Sequence, residues 1–252
     1  MLERFDLDGK AIVVTGGGRG LGRGMAMALA EAGANVMVAS RTEEQLASVV
    51  DEIRAAGGTA SYFAFDATDS SKTDELVQAC VREYGRIDVM FANAGIGGGT
   101  NDDFWEYPDW AFEEVLATNL KSSFYSCRAA SAQMIKQGTG GVLVTTASGT
   151  ALRGNRGFAY PTAKGGVISL TKSMATMLAG HHIRANCIVP GYVSQRPPAS
   201  DQERAQREQR GLFMPVQRLG EWWEMGPLAI FLASDASSYV TGGQFIIDGG
   251  GL

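Results

Sequence analysis

Short runs of apolar, β-branched residues alternate along this chain with longer stretches of helical periodicity. Lys10 to Thr15 (KAIVVT) reads as a strand covered on both faces, Asn35 to Ala39 (NVMVA) and Ile87 to Phe91 read as strands, Thr59 to Phe65 alternates, and Gly141 to Thr146 and Gly243 to Ile247 add two more. Between them lie helix-forming segments with recognisable ends. MAMALAEAG follows Gly22, and Thr42-Glu43-Glu44-Gln45 has the form of a capping box for a helix that stops at Gly57-Gly58. A third helix runs to Tyr84 and stops at Gly85, and a long helical stretch spans about Asp109 to Lys136. Strand and helix alternating at this rhythm predict an α/β chain, a single domain over residues 1–252, with a doubly wound parallel sheet of roughly seven strands and helices on both faces.

In such sheets ligands lie beyond the carboxyl ends of the strands. The first strand is followed at once by Gly16-Gly17-Gly18-Arg19-Gly20-Leu21-Gly22 and then a helix. Glycines there let the backbone turn sharply and approach a pyrophosphate, whose charge is met by amide N–H groups and the helix N-terminus. This strand, loop and helix predict a Rossmann-like dinucleotide site. The second strand ends in Ser40-Arg41, with no acid there to bind the free ribose hydroxyl of NAD. Ser40 and Arg41, with Arg19, instead suit the extra phosphate of NADP, while NAD stays open. Asp66, followed by Ala67, closes the third strand. Either its carboxylate accepts from an adenine amino group, or the segment Asp66 to Ser70 caps the next helix. The fourth strand leads to Asn93-Ala94-Gly95.

In the second half, Tyr160 and Lys164 are four residues apart, one turn on a common helix face. A nearby cation favours a phenolate, so Lys164 is expected to draw the Tyr160 pKa down from its usual value of about 10, fitting the phenol for proton exchange with a hydroxyl or carbonyl. Ser148 follows the fifth strand, where its hydroxyl can orient a carbonyl. Asn119 falls mid-helix, where asparagine is a poor helix former, and its amide is placed to hold a water or a backbone group. Phe104, Trp105, Tyr107 and Trp110 crowd the entry to the long helical stretch, as a pocket mouth or as packing.

Composition narrows the classes. A net charge of -5 over 252 residues disfavours nucleic acid and anionic membranes as partners. No segment has the apolar length of a span, and the first residues have no leader-like apolar core, which predicts a cytoplasmic chain. Cys80, Cys127 and Cys187 are expected to be buried free thiols, and adjacent His181 and His182 to close a helix rather than bind metal.

Over nearly its whole length the chain resembles the classical short-chain dehydrogenase/reductase family. The matching residues are Thr15-Gly16 through Gly22, Asp66, Asn93-Ala94-Gly95, Asn119, Ser148, Tyr160 with Lys164, Pro190-Gly191 and Asp248-Gly249-Gly250. The resemblance implies hydride transfer between a nicotinamide and a carbonyl or secondary alcohol. In it Tyr160 is the general acid or base, Ser148 steadies the substrate oxygen, Lys164 lowers the tyrosine pKa and binds the nicotinamide ribose, and Asn119 holds a water in the proton path. Asn93 would be structural near the cofactor, and Pro190, Gly191 and Val193 would pass beside the nicotinamide. The resemblance further implies a mobile substrate lid at about residues 192–215 and a homotetramer. The chain departs from the family at Ala92, often asparagine, and at Gln195, frequently threonine. The Ser148 to Tyr160 gap is one residue short, leaving Thr146 as the other candidate hydroxyl. The expected activity is NADP-dependent ketone reduction. Alternatives are a 3-oxoacyl-carrier-protein reductase, for which Lys121, Arg128 and Lys136 supply a thin basic surface, an NAD-linked secondary-alcohol dehydrogenase, and a dinucleotide-sensing protein without chemistry.

Overall fold

A computed structural model describes residues 2–98, 100, 102–154 and 157–252 of the chain. In chain order its first half holds β1 (Ala11–Thr15), α1 (Gly20–Glu31), β2 (Asn35–Ser40), α2 (Glu43–Ala55), β3 (Thr59–Ala64), α3 (Ser70–Tyr84) and β4 (Val89–Ala92). Then follow α4 (Asp109–Leu116), α5 (Ser122–Gln137), β5 (Gly141–Thr146), the short α6 (Thr150–Arg153), α7 (Ala159–Leu178) and β6 (Ile183–Pro190). The last elements are β7 (Val193–Ser194), α8 (Asp201–Gly211), β8 (Gly220–Glu221), α9 (Gly226–Ala233) and β9 (Gln244–Ile247).

Seven strands form one sheet in the order β3-β2-β1-β4-β5-β6-β9, and every pairing is parallel. The order reverses at β1, which pairs with β2 on one side and β4 on the other, and that reversal opens a crevice at the strands' carboxyl ends. Burial explains why these strands are apolar throughout. Successive strand residues face opposite ways: Val14 packs with Met25 and Leu29 of α1 and Leu46 of α2, whereas Val13 packs with Leu76 and Cys80 of α3 and Met134 of α5. Each such fully buried side chain stabilises the fold by about 2 kcal/mol.

Several elements differ from the sequence expectation. The long stretch after Pro108 is two α-helices joined by a π-helical turn, Ala117–Lys121, and Asn119 lies inside that turn. Thr42 makes no side-chain cap to α2; the Gln45 side chain that a capping box would turn back lies instead against Gly18. The segment Asp66 to Ser70 does cap α3, as one of the two readings has it, with Asp69 taking the Ser71 and Lys72 N–H groups. Cys80, Cys127 and Cys187 are buried free thiols, and His181 and His182 close the turn after α7. Outside the main sheet, β7 and β8 pair in parallel on either side of α8, within and just beyond the segment read as a lid. Among the described residues, no helix is long and apolar enough to cross a membrane.

Candidate active site

The glycine loop is shaped by close approaches that exclude side chains. A Cβ on Gly22 would lie 2.2 Å from the Gly16 carbonyl oxygen, and one on Gly17 2.9 Å from the Val14 carbonyl oxygen. Gly16 and Gly20 take positive φ angles of 67° and 55°, which L side chains avoid. Asn93 staples this loop to β4: its N–H donates to Thr15 Oγ1 at 3.0 Å and its Nδ2 to the Thr15 carbonyl at 3.1 Å. Ala94 N–H reaches the same hydroxyl at 3.1 Å. Thr15 therefore organises the loop, a role hidden in an unremarkable strand-end residue.

The head of α1 receives no side-chain cap from Arg19, so its first-turn amides face the crevice with the positive end of the helix dipole. Ser40 Oγ is buried without a hydrogen-bond partner and stands 3.2 Å from where a Gly18 Cβ would be. An orphaned donor beside a glycine cradle fits a phosphate group. Arg19 and Arg41 are exposed on the same rim, and Arg41 helps to hold the Asp66 carboxyl below its usual range. The larger cause of that lowering is Thr68, whose N–H and hydroxyl donate to Asp66 Oδ1 at 2.9 and 2.8 Å. Leu21 and Ala67 pack against the core on either side of the crevice.

Tyr160 and Lys164 lie in the first turns of α7, with Pro161 between them where an absent N–H costs nothing. Lys164 Nζ stands 5.7 Å from the centre of the Tyr160 ring and donates to the Thr146 carbonyl at 2.8 Å. Lys164 is buried, and that burial pushes its ammonium down to about 8, with Cys187 beside it acting weakly the other way. The Tyr160 phenol is pushed up by its own burial, and a hydrogen bond with Ser148 counters this in part. This corrects the expectation that Lys164 lowers the phenol. The ammonium donates to the Thr146 carbonyl, and Lys164 is not among the groups that shift the phenol.

Ser148 is fixed by its own loop: Thr150 donates to Ser148 Oγ through its N–H at 3.3 Å and its hydroxyl at 3.1 Å. Among the described residues the buried Thr146 hydroxyl has no partner, and the hydroxyl that acts on the Tyr160 phenol is that of Ser148. Residues 155 and 156 of the connecting loop lie outside the described residues. The Asn119 amide serves the backbone. Nδ2 donates to the carbonyls of Ile96 at 3.0 Å and Val115 at 3.1 Å, and Oδ1 accepts from Ile96 N–H at 3.2 Å. Only one lone pair of Oδ1 is left for a water. A Cβ on Gly95 would lie 2.6 Å from Asn119 Oδ1 and 3.3 Å from Lys164 Nζ, so these three positions interlock.

Two further boundaries complete the site. Pro190 accepts from Gly149 N–H at 2.8 Å, which sets the Pro190-Gly191 loop beside Ser148. Val193 lies in β7 and packs against the core on the α1 side. On the other side Phe158, two residues before Tyr160, packs its ring 4.8 Å from Phe104 and 4.4 Å from Tyr107. Tyr107 and Tyr160 pack against one apolar cluster formed by Val115, Ala159 and Ala163. Of the aromatic residues singled out in the sequence, Phe104, Trp105 and Trp110 stay largely exposed, Phe104 touching Phe158 from the solvent side; Phe158 went unnoticed there, though its two-residue distance from Tyr160 was the available signal.

A parallel sheet with a glycine cradle at its switch point and a serine, tyrosine and lysine at the adjoining strand ends defines a nucleotide-linked oxidoreductase. The chain belongs to the short-chain dehydrogenase/reductase family; residues 16–251 match the family profile described as Enoyl-(Acyl carrier protein) reductase. It is 36% identical over 245 residues to the 3-oxoacyl-(acyl-carrier-protein) reductase FabG of Thermotoga maritima, covering 97% of this chain and 98% of that one. It is also 36% identical over 249 residues to L-rhamnose 1-dehydrogenase (NAD(P)(+)) of Azotobacter vinelandii, covering 96% of each. Among solved structures, a short-chain type dehydrogenase/reductase from Mycobacterium marinum superposes with a TM-score of 0.90 at 37% identity, over 99% of this chain and 98% of that one. Family membership makes the chain an NAD(P)-linked dehydrogenase/reductase.

Proposed function

We propose that the protein is an NADP(H)-dependent reductase of apolar ketones, working with Tyr160, Ser148 and Lys164. The observation that carries this reading is the Ser148 hydroxyl beside the Tyr160 phenol, close enough to counter the effect of its burial, with a buried Lys164 one turn further along α7 and an aromatic wall next to them. The nicotinamide, when bound, gives or takes the hydride. Tyr160 gives the substrate oxygen its proton in reduction and removes it in oxidation. A phenol kept protonated by burial suits the first direction. Ser148 donates to the same oxygen as charge develops on it. Lys164 holds a proton behind the phenol and reaches the nicotinamide ribose. Asn119 acts as a positioning residue, tying Ile96 and Val115 around Gly95.

The NADP preference is supported by the orphaned Ser40 hydroxyl with Arg41 and Arg19 on the same rim and no acid at the end of β2. The apolar substrate is supported by the Phe104, Phe158 and Tyr107 wall. A carrier-protein reductase is the second reading, favoured by the likeness to FabG. Its basic surface is thin, because of Lys121, Arg128 and Lys136 the first is already neutralised in an ion pair with Glu113 at 2.9 Å. One catalytic domain with a lid at about 192–215 and assembly as a homotetramer complete the proposal; the exposed Ile246 on edge strand β9 suits such pairing.

The test is a panel of cyclic and aryl ketones, aldoses and 3-oxoacyl thioesters, each assayed by nicotinamide absorbance with NADPH and with NADH. Apolar ketones with NADPH should react best, and Phe158→Ala should raise their KM by about tenfold through loss of an aromatic contact worth ~1.4 kcal/mol. Turnover confined to aldoses or thioesters would reject the ketone reading.

A further inference from the structure

Gly20 and Gly24 lie one turn apart on one face of α1, and each is the floor of a contact with the lid's base. A Cβ on Gly20 would sit 2.2 Å from Gln195 Oε1, and one on Gly24 2.3 Å from the Trp222 carbonyl oxygen. Gln195 directly follows β7 and Trp222 directly follows β8, the paired strands that bracket α8. The base of the lid is thus rooted on α1 at two points.

The two roots differ in kind. Trp222 is anchored, for its ring lies 4.4 Å beneath the Arg23 guanidinium, and Arg23 is itself paired with Glu52. Gln195 is an exposed side chain resting on a glycine. Its carbonyl oxygen carries partial negative charge and lies at the head of α1, which lacks a side-chain cap. A helix head of this kind attracts negative charge, and in a glycine-loop site it is the seat of the pyrophosphate.

We propose that Gln195 is a positioning residue that competes with the nucleotide's pyrophosphate for the head of α1. Nucleotide entry then releases Gln195 from Gly20 and frees the β7 root of the lid, while the Trp222 root stays in place. Cofactor arrival and lid freedom are coupled through one amide. This rests on nucleotide binding by the glycine loop and on the proposed lid at about 192–215, and is independent of the substrate and of the choice between NADP and NAD.

Stopped-flow quenching of tryptophan fluorescence in the full chain, on mixing with NADPH and separately with NADH, reads the competition directly. Gln195→Ala removes the competitor, so the association rate constant should rise about fivefold, the population factor that a partial charge seated at a helix head commands, while dissociation is unchanged. Gln195→Glu places a full charge on the same seat and should slow association about tenfold. Thermal melting checks that both variants are folded, as expected for an exposed site. An unchanged association rate in Gln195→Ala would overturn the proposal. So would faster dissociation in that variant, which would make Gln195 a clamp on bound nucleotide.

Discussion

Lys164 gives its hydrogen bond to the Thr146 carbonyl at 2.8 Å and leaves its ammonium 5.7 Å from the centre of the Tyr160 ring. The lysine therefore stands behind the phenol, walled in by α7 and β5, and the cost of that burial is legible in its titration. Lys164 releases its proton near 8 in the folded chain, against a usual value of 10.5. Between these values the unfolded chain binds a proton that the folded chain does not, so the wild type gains stability as pH rises through this window. Below it the folded state carries the whole cost of a buried charge. The unfolding free energy of wild type relative to Lys164→Met should accordingly rise by about 3 kcal/mol from pH 7 to above pH 10. Urea titrations of both proteins across that range measure it; parallel curves would mean that Lys164 is not buried as a charge.

The proposed NADP preference rests on the rim of β2. Arg41→Asp should turn an attraction for the ribose phosphate into a repulsion and supply the carboxylate that a free ribose hydroxyl accepts. The ratio of kcat/KM for NADPH over NADH should fall by about 100-fold, since charge-assisted contacts are each worth ~1.5–3 kcal/mol. If the ratio is unmoved, the phosphate is held elsewhere.

Gly95 offers a test of the interlock behind the site. Its Ala variant would push a methyl group to within 2.6 Å of Asn119 Oδ1, so the Asn119 clamp on Ile96 must yield. The expected loss is about 2 kcal/mol of stability, from overpacking and broken buried hydrogen bonds, with kcat lowered more than KM is raised. Gly97→Ala is the matched control, since among the described residues no atom beyond its chain neighbours lies within 4 Å of its Cβ position. Denaturation and steady-state kinetics of the two variants together decide it, and equal behaviour would remove Asn119 from the site's support.

The sequence made the sheet legible wherever burial on both faces left an apolar run, as at Val13 and Val14. It made the cradle legible through glycines whose spacing reflects backbone contact. β6 escaped that reading because Arg184 and Asn186 interrupt its run. Both are satisfied locally: Arg184 donates to the carbonyls of Val240, Leu232 and Ser234, and Asn186 Nδ2 to Val240 at 2.8 Å. The π-helical turn at Asn119 was hidden for a different reason, since it depends on the Ile96 backbone arriving from another segment. Spacing along α7 correctly placed Tyr160 and Lys164 on one face. It could not give the direction of the phenol's pKa, which is set by how deeply the ring is covered. Gln195 was visible as a departure from the family pattern, but its reach to Gly20 belongs to the tertiary fold.

The central claim is that the Tyr160 hydroxyl exchanges the proton in a reaction whose nucleotide is bound by other residues. Tyr160→Phe keeps the ring and its packing against Ala159 and Ala163 while deleting that hydroxyl. Measuring kcat for the best ketone alongside the Kd for NADPH in this one variant is the most direct test. The account requires kcat to fall by about 1,000-fold or more, as for loss of a general acid, with Kd changed by less than about threefold. Turnover near the wild-type rate would contradict it.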